Sequence, residues 1–86
     1  MILVRYFLVN FSFRSGEYEQ PFYHVFEARN KRTLERRIHN YLKTYYPGKS
    51  EREGDIYFYF GGEVAVEYEG WEEIKSADRL LRSLKV

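Results

Sequence analysis

The sequence contains no cysteine, which excludes disulfide bonds and every metal site that depends on thiolate ligands. Small secreted domains usually need disulfides, so this absence favours a reducing compartment, and we expect a cytoplasmic protein. No run of residues approaches the roughly 18 consecutive apolar residues of a membrane-spanning helix. The sequence therefore predicts that the protein has no membrane partner.

Residues with catalytic chemistry are few and scattered. The two histidines, His24 and His39, have no third ligand at the spacing of a metal site. No glycine-rich loop joins a strand to a helix, because Gly61-Gly62 lies between two predicted strands. No glutamate is predicted to be buried beside a second carboxylate, as acid–base catalysis requires. We therefore expect a non-enzymatic protein with no catalytic residue, no metal and no cofactor.

Aromatic residues, in contrast, are abundant, with nine tyrosines and seven phenylalanines in 86 residues. Each buried ring removes roughly 150–250 Å² of surface from water. Such side chains help a chain near the lower size limit for independent folding to form a stable core. We expect one domain over residues 1–86, made of two strand–strand–helix units at 1–46 and 55–86 that are joined by a loop at 47–54.

The first unit begins with two long strands. Residues 2–13 and 17–28 are rich in β-branched and aromatic residues, which favours extended strands. A two-residue turn at Ser15-Gly16 would join them as an antiparallel hairpin. Residues that face each other across such a hairpin share a face of the sheet. The predicted apolar face consists of Phe7, Val9, Phe11, Phe13, Tyr18, Phe22 and Phe26.

The second hairpin turns at Gly61-Gly62 and admits two registers. A two-residue loop would oppose Ile56 to Glu67, which mixes a glutamate with the apolar face. A three-residue loop would instead oppose Ile56 to Val66 and place Gly62 in the left-handed conformation that such loops require. We favour the longer loop, because a shift of one residue turns every side chain of the strand to the other face.

A helix is predicted after each hairpin. The first covers residues 31–46, with Asn30 as N-cap, and the second begins near Ser76. Their buried faces would consist of Leu34, Ile38, Tyr41, Leu42 and Tyr45 in the first helix and of Leu80, Leu81 and Leu84 in the second. The sequence therefore predicts an α+β fold of the ββαββα type. Its four-stranded antiparallel sheet has the order 2-1-3-4, and both helices lie on one face.

With both helices on the phenylalanine side, the other face of the sheet is open and rich in tyrosine. A contiguous aromatic patch on a monomer often marks an interface, although tyrosine is also simply a good strand residue that tolerates water. Glutamates beside the rings would repel phosphate, so this face favours a protein partner or a homodimer. The candidate interface residues are Tyr6, Leu8, Tyr23, Tyr57 and Tyr59.

The first predicted helix is strongly basic, whereas the net charge of the chain is only +1. Such charges often form no more than a solvated helix surface. They also suit a strip that contacts phosphates with weak, sequence-independent affinity. The candidate nucleic-acid residues are Arg32, Arg36, Arg37 and Lys43. We therefore predict a small binding module that acts through its tyrosine-rich face, with nucleic-acid binding by the basic helix as the alternative.

The first half of the chain resembles a class of known proteins. Its segments LVRYFLVNFSF, SGEYE, FEARN and LERRIHNYLK are similar to those of small uncharacterised proteins carried by phages, plasmids and other mobile elements. The resemblance covers residues 3–43. It implies a small soluble accessory role and brings no catalytic residues.

Overall fold

A computed structural model describes residues 4–75, which form a five-stranded antiparallel sheet with one helix packed on one face. The elements are β1 (Arg5–Ser15), β2 (Tyr18–Ala28), α1 (Lys31–Lys43), β3 (Ser50–Glu53), β4 (Ile56–Tyr59) and β5 (Val64–Ile74), with a 3₁₀ turn at Phe60–Gly62. The strand order is β2-β1-β5-β4-β3, so the short strand β3 is at one edge and the long strand β2 at the other.

This architecture shows that the ββαββα prediction is wrong. The described residues contain five strands and one helix, and β1 pairs with the last strand, β5, rather than with β4. The additional strand, β3, lies within the predicted loop at 47–54. Its sequence is polar throughout, as an edge strand allows, so no apolar alternation signals it. The second predicted helix, with Ser76, Leu80, Leu81 and Leu84, lies outside the described residues.

β1 and β2 form the hairpin expected from the sequence, with the turn displaced by one residue. The two turn residues are Gly16 and Glu17, so Phe7 faces Phe26 rather than His24. The pairing is shifted by two residues along β2. Because an even shift leaves every side chain on its original face, the predicted apolar face of this hairpin is confirmed, although Tyr18 at its end is 57% exposed.

β4 and β5 pair in the register that the position of Glu67 in the sequence disfavours. Ile56 faces Glu67, and residues 60–63 connect the two strands. This pairing is tolerated because Glu67 lies on the face away from the helix, where its Oε1 accepts a hydrogen bond from Nη2 of Arg14 at 2.9 Å. Gly62 does adopt the expected positive φ, at 97°.

The consequence of this register is that Tyr57 and Tyr59 point towards the helix. Both face valines of β5 across the ladder, and their exposed fractions are 5% and 2%. A difference of one residue in register moves all side chains of a strand to the opposite face. The prediction that these two tyrosines look outward is therefore wrong, and Ile56 and Phe58 lie on the outer face instead.

A bulge in β5 at Glu69 and Gly70 brings Tyr68 and Trp71 to the same face of the sheet. Strict alternation would place these two residues on opposite faces, and the extra residue of the bulge corrects this. Gly70 has a φ of 146°, a conformation that side chains with a Cβ rarely adopt. The indole of Trp71 then meets the ring of Phe7 edge-on, with centroids 5.2 Å apart.

α1 covers the apolar side of the sheet. Asn30 caps it as predicted, because its Oδ1 accepts a hydrogen bond from the backbone N–H of Thr33 at 2.8 Å. The hydroxyl of Tyr59 donates to the carbonyl of Leu42, which gives a partner to one of the last acceptors of the helix. The side chains that α1 buries are Leu34, Ile38 and Leu42.

An ion pair joins the beginning of β1 to the end of β5. Nε and Nη2 of Arg5 donate to the two carboxylate oxygens of Glu73 at 2.9 and 2.8 Å. Nζ of Lys75 lies 3.7 Å from the same carboxylate. The hydrogen bonds from Arg5 lower the pKa of Glu73 to about 2.

We expect Glu73 to make the stability of the fold sensitive to acid. Its pKa is lower in the folded chain than the value of about 4.3 in an unfolded chain. Its contribution is therefore complete above that pH and is lost as the pH falls towards about 2. Glu73→Gln should lower Tm at neutral pH and leave it nearly unchanged near pH 2. Glu51→Gln, which removes an exposed carboxylate of β3, is the control; equal losses for Glu73→Gln at both pH values would contradict the expectation.

Candidate functional site

Charge is separated between α1 and the strands that follow it. Residues 29–49 contain seven Lys or Arg and one Glu, a net charge of +6. Residues 50–75 contain two Lys or Arg and eight Asp or Glu, a net charge of −6. The small net charge of the whole chain conceals this separation. The helix side therefore carries a local positive potential that an anionic partner would meet first.

Four residues form a line along the outer side of α1, which we call the basic stripe: Arg32, Arg36, His39 and Lys43. Their spacing of four, three and four residues keeps them on one side of an α-helix. The three cations are exposed, and His39 is half-buried. Within residues 4–75, none of the three cations forms an ion pair or a side-chain hydrogen bond.

Arg37 was predicted to act with the other cations of the helix, but the structure separates it from them. It lies roughly 100° around the helix from Arg36. Its Nη1 donates to the backbone carbonyl of Glu27 at 2.5 Å. Arg37 therefore connects α1 to the end of β2 and does not belong to the basic stripe.

β3 brings a further cation to the basic stripe. Nη2 of Arg52 lies 3.4 Å from Nε2 of His39. Nε of Arg52 donates to the carbonyl of Gly54 at 2.8 Å, and its guanidinium lies 5.8 Å from the ring centroid of Tyr57. The sequence pattern predicts a loop here, so it contains no signal that would place Arg52 beside the helix.

His39 lies between Arg52 and the buried Tyr57, whose Oη is 3.1 Å from Nδ1 of the imidazole. An arginine can only donate, so Nε2 accepts from Arg52 and the proton is on Nδ1, which donates to the hydroxyl of Tyr57. Burial and the charge of Arg52 lower the pKa of His39, and the carboxylates of Asp55 and Glu35 oppose this to a smaller extent. The imidazole is therefore mostly neutral at neutral pH.

The sequence contains a signal for His39 that a search for Lys and Arg alone overlooks. The positions 32, 36, 39 and 43 have the same repeat as an apolar helix face, but they are occupied by groups that carry or can acquire positive charge. The partner from β3 has no equivalent signal. Sequence periodicity can thus identify the basic stripe but not the contact between His39 and Arg52.

The open face of the sheet retains part of the predicted tyrosine cluster. Tyr6 and Tyr23 lie on it with exposed fractions of 50% and 41%. Leu8 shares this face but is only 5% exposed, because it lies in the interior strand β1 between β2 and β5. The two tyrosines of β4 belong to the core instead. Within residues 4–75, no helix covers this face.

Carboxylates surround the exposed tyrosines. Glu27 faces Tyr6 across the β1–β2 ladder, and Glu72 faces Leu8 across the β1–β5 ladder. Further along, Oγ of Ser12 donates to the carboxylate of Glu19 at 3.3 Å. Negative charge at these positions disfavours phosphate, so the open face is unsuitable for nucleic acid.

Among the described residues, no group of three or more His, Asp or Glu side chains could hold a metal ion. No helix in this part of the chain is both long and apolar enough to cross a membrane. Comparisons of the chain with protein-family models, with curated proteins and with solved structures find no match.

Proposed function

We propose that the protein binds the phosphate backbone of nucleic acid through the basic stripe and Arg52, without reading the base sequence and without catalysis. The observation that carries the proposal is the line of exposed cations at Arg32, Arg36 and Lys43, which have no ionic partner within residues 4–75. Phosphates that approach such a line replace condensed counterions, and the release of these ions favours binding.

The basic stripe is long enough to contact more than one phosphate. At a rise of 1.5 Å per residue, positions 32 to 43 span roughly 16 Å along the helix axis. One strand of a duplex advances about 3.4 Å along the duplex axis per phosphate, so a stripe of this length exceeds that spacing and can contact more than one phosphate. Contacts of this kind position a protein on the backbone but carry no base-sequence information.

The separation of charge supports the same orientation. An approaching polyanion is attracted by the helix side, with its net charge of +6 over residues 29–49, and repelled by residues 50–75, with −6. The resulting dipole turns α1 towards the polyanion before contact. The proposal therefore explains why the exposed cations are concentrated on one element while the carboxylates are concentrated elsewhere.

A protein contact through the open face is the second candidate, with a second copy of the chain as the simplest partner. It is favoured by the exposed rings of Tyr6 and Tyr23. Burial of Leu8, Tyr57 and Tyr59 leaves exposed only two of the five residues on which this prediction depends. The remaining patch is smaller, which is why we place nucleic-acid binding first.

The composition and the resemblance of residues 3–43 to proteins of mobile elements fit an accessory role for such an activity. A chain without cysteine is suited to a reducing interior, where nucleic acid is present. We therefore propose that the protein acts in the cytoplasm, as an accessory factor that binds the phosphate backbone of nucleic acid.

We expect the affinity for oligonucleotides to fall steeply with salt. If the four cations Arg32, Arg36, Lys43 and Arg52 each replace one counterion, the slope of log affinity against log salt should be about −2.8 to −3.6. Raising the salt from about 50 to about 200 mM should weaken binding about 50- to 150-fold. Fluorescence anisotropy with labelled oligonucleotides of unrelated sequence measures the slope, which should be the same for all of them. Absent or salt-independent binding at low salt would contradict the proposal and leave the open-face contact as the better candidate.

A further inference from the structure

In the middle of the basic stripe, the helix contacts the edge of the sheet through a pair of side chains. The pair consists of His39 on α1 and Arg52 on β3, with 3.4 Å between Nε2 of the histidine and Nη2 of the arginine. Arg36 precedes His39 by one helical turn, and Lys43 follows it by one turn. Once Nε2 is protonated, two nitrogen atoms that can donate to the same acceptor lie at the centre of a cationic line.

In the free protein the imidazole of His39 is neutral, and its Nε2 accepts the hydrogen bond from Arg52. Protonation of Nε2 would remove the acceptor and set two cationic groups against each other. A phosphate oxygen beside this pair would offset the repulsion between the two cations, since it can accept from Arg52 and from the protonated imidazole of His39 together. Binding of the phosphate and binding of the proton would then favour each other.

We propose that His39 and Arg52 form a binding site for one phosphate group and that His39 takes up a proton when the phosphate binds. This inference rests on the proposed function, because it assigns one phosphate of the nucleic-acid backbone to a defined pair of side chains. The same chemistry would admit a free phosphate ion, and the two sources are separated by the experiment below.

The charged and titratable groups that face His39 come from each neighbouring element. They are Arg52 on β3, Tyr57 on β4, Asp55 in the turn between these strands and Glu35 on α1 itself. In the free protein, burial and Arg52 dominate and lower the pKa of His39. A phosphate that accepts a hydrogen bond from Nε2 places a negative charge in direct contact with the imidazole, so it should raise that pKa.

The expected consequence is that oligonucleotide affinity depends on pH at constant ionic strength. Affinity should increase as the pH falls from about 8 to about 5.5, tenfold for each unit by which the phosphate raises the pKa of His39. We expect an increase of about tenfold. Over this range no carboxylate, lysine or tyrosine side chain has its usual titration, so a histidine is the natural source of the effect.

The decisive measurement follows the ring resonances of both histidines by NMR during a pH titration of the wild-type protein. The titration is done for the free protein, with an oligonucleotide and with inorganic phosphate. His39 should titrate at higher pH in the presence of either ligand. The ring of His24, which is exposed on β2, is the internal control and should not respond to the anion. A midpoint that only the oligonucleotide raises would assign the site to the phosphodiester backbone, whereas a rise with both would assign it to the phosphate group itself.

Two variants test the site by affinity. His39→Gln should bind the oligonucleotide with a salt slope close to that of the wild type but without the increase at low pH. Arg52→Gln should reduce the salt slope by the contribution of about one phosphate contact and weaken binding several-fold at both pH values. Salt-dependent binding with an unchanged His39 titration would overturn this inference and leave the proposed function intact. If the oligonucleotide does not bind, the proposed function fails, and a His39 titration that inorganic phosphate also leaves unchanged would overturn the inference as well.

Discussion

Replacing Tyr59 by alanine should destabilise the protein by about 3–5 kcal/mol, as for other large aromatic side chains in a core. The ring is 2% exposed, and its centroid lies 5.2 Å from that of Tyr46 and 6.1 Å from that of Tyr45. Truncation would leave a cavity below the end of α1 and would remove the hydroxyl that donates to the carbonyl of Leu42. The loss is a large part of the roughly 5–15 kcal/mol that stabilises a typical domain. Unfolding in urea, followed by circular dichroism, measures it.

Phe58→Ala is the matched control, because Phe58 is the adjacent residue of the same strand and carries a ring of similar size. It lies on the open face and is half-buried, so we expect a loss of about 1 kcal/mol. In the register that pairs Phe58 with Val64, Phe58 would be the core residue and the two losses would be exchanged. A larger loss for Phe58→Ala than for Tyr59→Ala would therefore contradict the register described above.

The first hairpin shows what a sequence can predict well. Its strands are 11 residues long each, and apolar and polar residues alternate in β1 over residues 9–14. Such an alternating pattern determines which face is buried even when the turn is misplaced, because a displacement of two residues preserves the faces. The sequence therefore predicts the buried aromatic face of this hairpin correctly, although it misplaces the turn by one residue.

β4 shows where the same method fails. The strand is four residues long, Ile-Tyr-Phe-Tyr, and all four side chains are apolar or aromatic, so alternation cannot distinguish its two faces. We chose the register to keep Glu67 away from an apolar side chain. The ion pair between Glu67 and Arg14 at 2.9 Å makes that restriction unnecessary, but this pair depends on β1 and β5 being neighbours, which the local sequence does not indicate.

The error in the predicted strand order also arises from glutamates whose partners the sequence does not reveal. Glutamates in the last strand suggest an edge position, yet β5 is the central strand of the sheet, between β1 and β4. Glu67 is paired on the open face, and Glu69 lies at the bulge, where the regular pairing is interrupted. Both glutamates are thus compatible with an interior strand for reasons that appear only once the tertiary contacts are known.

The candidate site likewise has a part that the sequence predicts and a part that it does not. Helical periodicity predicts the exposure of Arg32, Arg36 and Lys43, and the structure confirms that they are exposed. The partner of His39 is 13 residues further along the chain, on a strand with no apolar pattern. Local sequence can therefore predict the cations of a helix surface, but it cannot predict which cation from another element completes the site.

Reversing two charges of the basic stripe should nearly abolish binding of nucleic acid. Arg36→Glu/Lys43→Glu lowers the net charge of residues 29–49 from +6 to +2. It should reduce the salt slope by about 1.4 to 1.8 and weaken binding on the order of 100-fold at about 0.1 M salt, because two counterions are no longer released and two carboxylates repel phosphate. Both side chains are exposed, so the fold should tolerate the change at a cost of about 1 kcal/mol, mostly from a glutamate in the last turn of the helix. Anisotropy titrations measure the affinity, and circular dichroism verifies the fold.

The control for this reversal is Arg29→Glu/Lys75→Glu, which changes the net charge of the chain by the same amount outside the basic stripe. Arg29 lies in the turn before α1, beside Glu27, and Lys75 follows β5. If binding depends on a line of phosphate contacts along α1, the control should lose clearly less affinity than Arg36→Glu/Lys43→Glu, because neither of its residues belongs to the basic stripe. Equal losses in the two double variants would mean that overall charge, rather than the basic stripe, attracts the polyanion, and the proposed site would then be wrong.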